Sequence, residues 1–140
     1  MKTALVSVIM GVHNEKEEYL RLAIGSVCQQ TYGNFELIII DDCSDDYCAN
    51  LLKKITVTDG RIRLYRNETN LGLTKTLNRG LSLANGEYIA RMDVDDFSTS
   101  DRFEKQLAYF ASHPETDILG GGVVSFGNSC EFFSPAFGYT

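Results

Sequence analysis

The sequence predicts an α/β domain of three layers, with helices on both faces of a mostly parallel sheet. Three observations carry that expectation. Leu5–Met10, continuous and apolar apart from Ser7, and Phe35–Ile40 are short enough to be strands buried on both faces. Runs with helical spacing alternate with the strand-like runs, as βαβ units require, and crossovers of this kind are right-handed. Polar clusters directly follow four of the strand-like runs, as expected where a parallel sheet turns its carboxyl ends toward a ligand.

Taken in order, Leu5–Met10 is the first strand. Leu20, Ala23, Ile24, Val27 and Cys28 then fall at i, i+3, i+4, i+7 and i+8, one face of a helix. Asn14 with Glu17 three residues later predicts a capping box at its start. Phe35–Ile40 is the second strand. Ser44 is expected to cap a helix holding Leu51, Leu52 and Ile55, with Asp45 and Asp46 in its first turn. Asp59-Gly60 marks a turn, and Arg61–Arg66 a more amphipathic third strand. A third helix follows on Leu73, Leu77, Leu81 and Ala84, closed by Asn85-Gly86. Tyr88–Met92 is the fourth strand. Asp101 and Glu104 open a fourth helix whose apolar face is Phe103, Leu107, Phe110 and Ala111, and His113-Pro114 stops it. Asp117–Val124 reads as a fifth strand, weakened by Gly120-Gly121-Gly122. The aromatic-rich stretch from Ser125 to Thr140 has no clear period and reads as the opening of something larger.

Composition narrows the function classes. The 140 residues carry a formal charge of −6, from 13 Lys and Arg against 19 Asp and Glu. That balance argues against binding a nucleic acid, which needs a basic face. A nucleotide stays open, because a metal ion can supply the positive charge. No run approaches the roughly 18 apolar residues of a membrane helix. The N-terminus lacks a signal-peptide cleavage pattern, so the expected location is cytoplasmic. Cys28, Cys43, Cys48 and Cys130 match no zinc spacing and read as reduced structural thiols.

If the sheet is parallel, His13-Asn14-Glu15, Asp41-Asp42, Asn67–Asn70 and Asp93-Val94-Asp95-Asp96 share one edge. Like charges about 4 Å apart repel by roughly 4 kcal/mol at an effective dielectric near 20. Such an edge calls for a cation, protonation or wide spacing. Carboxylate oxygens select a hard divalent ion such as Mg²⁺ or Mn²⁺, which then takes phosphate oxygens as further ligands. No G-x-x-x-x-G-K and no G-x-G-x-x-G occurs, which disfavours a P-loop enzyme and a dinucleotide oxidoreductase. Each residue alone has a plain structural reading. His13 could be a hydrogen-bonded loop histidine, and Lys75 and Arg79 the wet face of a helix. Arg91 reads as an ion-pairing residue, and Asn78 and Gly80 as helix-packing positions.

Together the segments resemble the inverting family 2 glycosyltransferases of the GT-A fold. The resemblance lies in Val6–Asn14, Ser26-Val-Cys-Gln-Gln-Thr-Tyr32, Phe35–Asp45, Asn70-Leu-Gly72, Asn78-Arg-Gly80, Gly86–Asp96 and Arg102–Gln106. It covers roughly residues 4 to 122. It implies a Rossmann-like nucleotide-diphospho-sugar transferase fold, incomplete at the C-terminus. Residues 1–124 would form the donor domain and 125–140 would begin a truncated acceptor side. Val12, His13 and Glu15 would hold the base, and Asp42 would accept from its ring N–H, as uracil offers. Asp93 would lie near the ribose, Asp95 would bind the divalent cation, Asp93 and Asp96 would support it, and Lys75 is a candidate for the diphosphate.

The resemblance further implies a UDP-sugar donor, a glycan or lipid-linked acceptor, and a role in polysaccharide or cell-surface glycan synthesis, with peripheral contact at the inner face of the membrane left open. The catalytic general base is expected beyond Thr140. The chain departs from the family's pattern at Gly11 and His13, where Pro and an aromatic are usual, and at Cys43, where Gly is usual. Two other readings remain beside it. One is a non-catalytic nucleotide-sugar-binding fragment. The other is a receiver-type phosphoacceptor domain, disfavoured because no acidic pair follows the first strand.

Overall fold

The computed structural model describes residues 3–125 and 131–133. Its elements run β1 (Val6–Val12), α1 (Glu17–Cys28), β2 (Phe35–Asp41), α2 (Asp46–Thr56), β3 (Ile62–Arg66), α3 (Leu73–Leu83), β4 (Tyr88–Arg91), α4 (Arg102–Ser112), β5 (Val123–Ser125) and β6 (Glu131–Phe133). The chain divides into two units, Met1–Arg102 and Phe103–Thr140.

The first unit is the predicted α/β architecture. Four strands form one sheet in the order β3-β2-β1-β4, and every pairing is parallel. The two continuous apolar runs take the central places, where both faces are covered. All seven residues of β2 are buried. The amphipathic β3 lies at one edge and β4 at the other. The chain steps from β1 to β2 to β3 in one direction and returns past β1 to β4. Right-handed crossovers therefore place α1 and α2 on one face and α3 on the opposite one. In the second unit β5 and β6 form an antiparallel ribbon.

Several local expectations are corrected. The capping box does not form: Lys16 is the N-cap of α1, and it has no side-chain cap bond. Ser44 does not cap α2. Asp45 does, accepting from Cys48 N at 2.8 Å. The inward face of α3 is not the leucine stripe. Thr76 and Gly80 are its buried residues, while Leu73 and Leu81 are about half exposed. A Cβ on Gly80 would stand 2.4 Å from Ile9 Cγ2, so only glycine lets α3 lie this close to β1. Asn78 is exposed. Of the apolar face expected on α4, only Phe103 is buried. The fifth strand shrinks to Val123–Ser125, because three consecutive glycines carry no side chains to pack on a sheet. Cys28, Cys43 and Cys48 are free thiols, and Cys130 lies outside the described residues. No helix among the described residues is long and apolar enough to cross a membrane.

At the amino end of the sheet, Glu36 interrupts an otherwise apolar strand and is fully engaged. Its carboxylate accepts from Ser7 Oγ (2.6 Å), Asn85 N (2.7 Å) and Arg63 Nη1 (2.7 Å), and Ser7 Oγ in turn accepts from Gly86 N. These contacts join β1, β2, β3 and the end of α3. Burial pushes the Glu36 carboxyl up, and the hydrogen bonds outweigh it, holding the pKa at about 2. A depressed folded-state pKa means stability that is present above the unfolded value of 4.5 and is lost as pH falls from there toward 2. Glu36→Gln is expected to cost about 2 kcal/mol at pH 7, after allowance for solvent beside Arg63. Urea unfolding of both proteins at pH 7 and pH 3 checks this: the gap between them narrows at pH 3, and a gap independent of pH contradicts it.

Candidate functional site

Because the sheet is parallel, the segments after all four strands emerge at one edge. Ladder-like bonds carry the strands into them: Asp42 N donates to Val12 O (2.7 Å), Asn67 N to Asp41 O (2.8 Å) and Met92 N to Ile9 O (3.1 Å). Val12 is buried at the end of β1. His13 is exposed, and its Nδ1 lies 2.8 Å from Asp42 O. A carbonyl only accepts, so Nδ1 carries the proton, and Nε2 is the acceptor facing Asn14 Nδ2. Asn14 adopts φ +50°, which asparagine tolerates, and joins two loops. Its N donates to Ser44 Oγ and its Oδ1 accepts from Asp45 N at 2.7 Å. Glu15 is half-buried and accepts from Lys16 N.

The paired acids after β2 divide their work. Asp41 pairs with Arg66 and accepts from Ser44 N, so it closes the β2–α2 turn. Asp42 points the other way. Its Oδ1 accepts from Asn67 Nδ2 (2.7 Å) and Leu71 N (2.8 Å), and its Oδ2 from Gly72 N (2.9 Å). Burial pushes this carboxyl up, but bonds from Leu71, Asn67, Gly72 and Thr76 hold it below the usual carboxylate range. Asp42 is therefore an ionised group, 4 % exposed, that fastens the loop between β3 and α3 to the rim. Gly72 at the start of α3 has φ +81°, a conformation glycine adopts without strain.

Asn67 completes this cluster; the sequence places it on the common edge within Asn67–Asn70 but gives it no role of its own. It is 2 % exposed; its Nδ2 also donates to Thr76 Oγ1, and its Oδ1 accepts from Arg79 Nη1 at 2.6 Å. Arg79 also donates to Arg66 O, so it is more than the wet face of a helix. A polar side chain next to the Asn70-Leu-Gly72 loop was the available signal, but nothing in the pattern marked it as buried. Lys75 is exposed on the first turns of α3.

Cys43 occupies the left-handed region at φ +59°, the conformation for which the expected glycine suits that turn. Its Sγ donates weakly to Glu68 O at 3.5 Å. Relief of roughly 1–2 kcal/mol of left-handed strain in Cys43→Gly is offset by the greater freedom of glycine in the unfolded chain, about 0.4–1 kcal/mol. Cys43→Gly is expected to leave the thermal midpoint within about two degrees, whereas the β-branched Cys43→Val lowers it by several degrees. A Val variant as stable as wild type contradicts this account of the turn.

On the other side of β1, the segment after β4 carries the second acidic group. Asp96 N donates to Asp93 O, closing a turn, and Asp93 Oδ1 pairs with Arg91 Nη2 at 2.7 Å. Arg91 is thus the ion-pairing residue its place suggested. Asp95 is exposed. Desolvation, then the Asp95 and Asp93 charges, push the Asp96 carboxyl above its ordinary value. Asp93, Asp95 and Asp96 offer oxygen ligands of the kind that hard divalent cations take. Among the described residues no group of three or more His, Cys, Asp or Glu is placed to hold a metal by itself.

A parallel α/β domain with an ionised Asp and an acidic turn on one rim is what the resemblance to GT-A transferases implies, and the solved structures it superposes on are GT-A transferases. Residues 7–135 match the sequence model of Glycosyl transferase family 2, and the chain belongs to that family. The amylovoran biosynthesis glycosyltransferase AmsE of Erwinia amylovora is 37 % identical over 131 residues, 87 % of this chain and 46 % of AmsE. TarS of S. aureus in complex with UDP-GlcNAc superposes with a TM-score of 0.70 at 27 % identity, over 78 % of this chain and 32 % of TarS. The mannosyltransferase PcManGT of Pyrobaculum calidifontis, in complex with GDP-Man and Mn²⁺, shares the fold with a TM-score of 0.69 at 22 % identity, over 76 % of this chain and 32 % of that one. The chain spans half or less of the length of these proteins.

Proposed function

We propose that residues 1–124 form the donor-binding part of a metal-assisted, inverting glycosyltransferase that transfers a sugar from a nucleotide-diphospho-sugar to an acceptor hydroxyl. The observation that carries this reading is the rim itself, where Val12, His13 and the ionised Asp42 are bonded into one unit on the edge that also bears Asp93, Asp95 and Asp96. UDP is the favoured nucleotide. TarS, at 27–28 % identity, is seen in complex with UDP and with UDP-GlcNAc, and Asp42 is an ionised acceptor on the rim, the charge state a ring N–H would meet.

In this reading the exposed His13 ring stacks on the base, with Val12 and Glu15 shaping its loop. Asp93 lies near the ribose, and Lys75 reaches toward the diphosphate. Asp95, with Asp93 and Asp96, would hold Mg²⁺ or Mn²⁺. That ion supplies Lewis-acid stabilisation of the leaving diphosphate. The acceptor oxygen forms its bond to the anomeric carbon on the face opposite the breaking bond to the diphosphate, so configuration inverts. The acceptor proton passes to a general base on the acceptor side, whose expected beginning at residues 125–140 lies largely outside the described residues. The acceptor is a glycan or a lipid-linked glycan in polysaccharide or cell-surface glycan synthesis, the setting in which AmsE is named. The site of action is the cytoplasm, with peripheral contact at the inner face of the membrane where the acceptor is lipid-linked.

Thermal unfolding with UDP and Mn²⁺ tests this reading. Ligand at one hundred times its Kd stabilises the folded state by about 2.7 kcal/mol, enough to raise the midpoint by several degrees. Asp95→Asn is expected to remove most of the shift that needs Mn²⁺. An unmoved midpoint in the wild-type chain contradicts the donor site, and a full shift in Asp95→Asn contradicts that ligand assignment.

A further inference from the structure

The acidic turn is gripped from behind by residues whose task the sequence left unassigned. Gln30, just beyond α1, is a neutral polar side chain only 6 % exposed. Its Nε2 donates to Thr99 O at 2.7 Å and to Ser26 O at 3.1 Å. Beside it Thr31 N donates to Ser100 O (2.8 Å), and Ser98 N donates to Ser26 Oγ (3.1 Å). The run Ser26–Tyr32 therefore ends α1 as a staple on residues 98–100, which leave the acidic turn. Arg102 spans the remaining gap. Its Nη1 donates to Ser98 Oγ (3.0 Å) on the outgoing stem, and its Nη2 donates to Arg91 O (3.1 Å) on the incoming stem.

The two stems flank a turn that carries Asp93, Asp95 and Asp96 and is closed by Asp96 N donating to Asp93 O. Like charges on one turn favour its opening unless its ends are tied, and opening spreads the carboxylates that a cation must find together. The half-buried Arg102 also places a positive charge within reach of Asp96, which opposes the cost of its own burial. A guanidinium is required here, because its rigid fork reaches both stems at once and the single ammonium of lysine does not.

The geometry points to Gln30 and Arg102 as positioning residues that hold the Asp93–Asp96 turn closed for a divalent cation, coupling the end of α1 to the donor site. This inference rests on the reading of that turn as the metal side of the donor site. Neither residue is assigned a contact with donor or metal. Supporting residues around a metal site typically cost 10–100-fold in metal affinity when replaced.

The test compares wild type with Arg102→Lys and Gln30→Leu in the 140-residue chain. UDP affinity is measured calorimetrically in EDTA and then in Mn²⁺, and amide hydrogen exchange is followed at Asp96. Both variants are expected to keep their metal-free UDP affinity within about twofold, to lose at least tenfold of the tightening that Mn²⁺ brings, and to exchange faster at Asp96. Full tightening in both variants overturns the inference. So does an equal loss with and without metal, which is what general destabilisation gives. If wild type shows no Mn²⁺ effect, the metal reading of the turn fails by itself, and exchange decides the clamp. Faster exchange at Asp96 in both variants upholds it, and unchanged exchange overturns it.

Discussion

Asp42→Asn is expected to lower stability by about 2–4 kcal/mol at pH 7 and to weaken UDP binding more than tenfold. The wild-type carboxylate accepts from two backbone N–H groups, Leu71 and Gly72, and from the Asn67 amide. An asparagine offers one oxygen to this set and turns an NH₂ toward donors that then have no acceptor. Each buried donor left unpaired costs roughly 1–3 kcal/mol, and the costs here overlap because all three donors lie in one cluster. The loop between β3 and α3 is released with them, so the rim loses its shape as well as its charge. Urea unfolding gives the stability and calorimetry gives the affinity. A loss below about 0.5 kcal/mol would mean that Asp42 does not hold this loop.

The second large effect lies inside the sheet–helix packing. Gly80→Val is expected to destabilise by about 3 kcal/mol or more, and Gly80→Ala by about 1–2 kcal/mol. A Cβ at this position would meet Ile9 Cγ2 at 2.4 Å and Ile40 Cγ1 at 3.7 Å, where carbon atoms prefer 3.5–4.0 Å. Overpacking costs about 1–3 kcal/mol, and for alanine the gain of roughly 1 kcal/mol in helix propensity returns part of it. Ile9→Leu removes the offending branch while nearly conserving volume. A cycle of Gly80→Ala with Ile9→Leu is therefore expected to show a favourable coupling above about 0.5 kcal/mol. Additivity would place the strain elsewhere than at this contact.

How much of this was legible depends on how far the deciding interaction reaches along the chain. The central strands were legible because burial on both faces leaves β1 and β2 continuously apolar, and the mixed character of β3 marked it as less covered. The common edge for His13, Asp42 and Asp93 followed from parallel pairing alone. The inward face of α3 was hidden because its contact residues are Thr76 and Gly80, and a hydrophobic pattern gives no weight to small residues. The Asn14–Glu17 capping box failed because Asn14 is claimed by Ser44 and Asp45, about thirty positions away. The same distance concealed the split between Asp41 and Asp42, which depends on Arg66 and on the Leu71–Gly72 amides. Gln30 in Ser26–Tyr32 and Arg102 in Arg102–Gln106 show no role in the sequence, since their partners belong to the end of β4 and the segment after it.

The central claim is that the segments following β1, β2 and β4 receive one ligand together. The most direct measurement is a backbone amide NMR titration of the chain with UDP in the presence of Mg²⁺. The account predicts shifts at His13 and Asp42 that saturate together with shifts across Asp93–Asp96, while Ser7 and Asn85 at the opposite end of the sheet stay still. Shifts confined to one of the two acidic groups, or centred on Ser7 and Asn85, would contradict it.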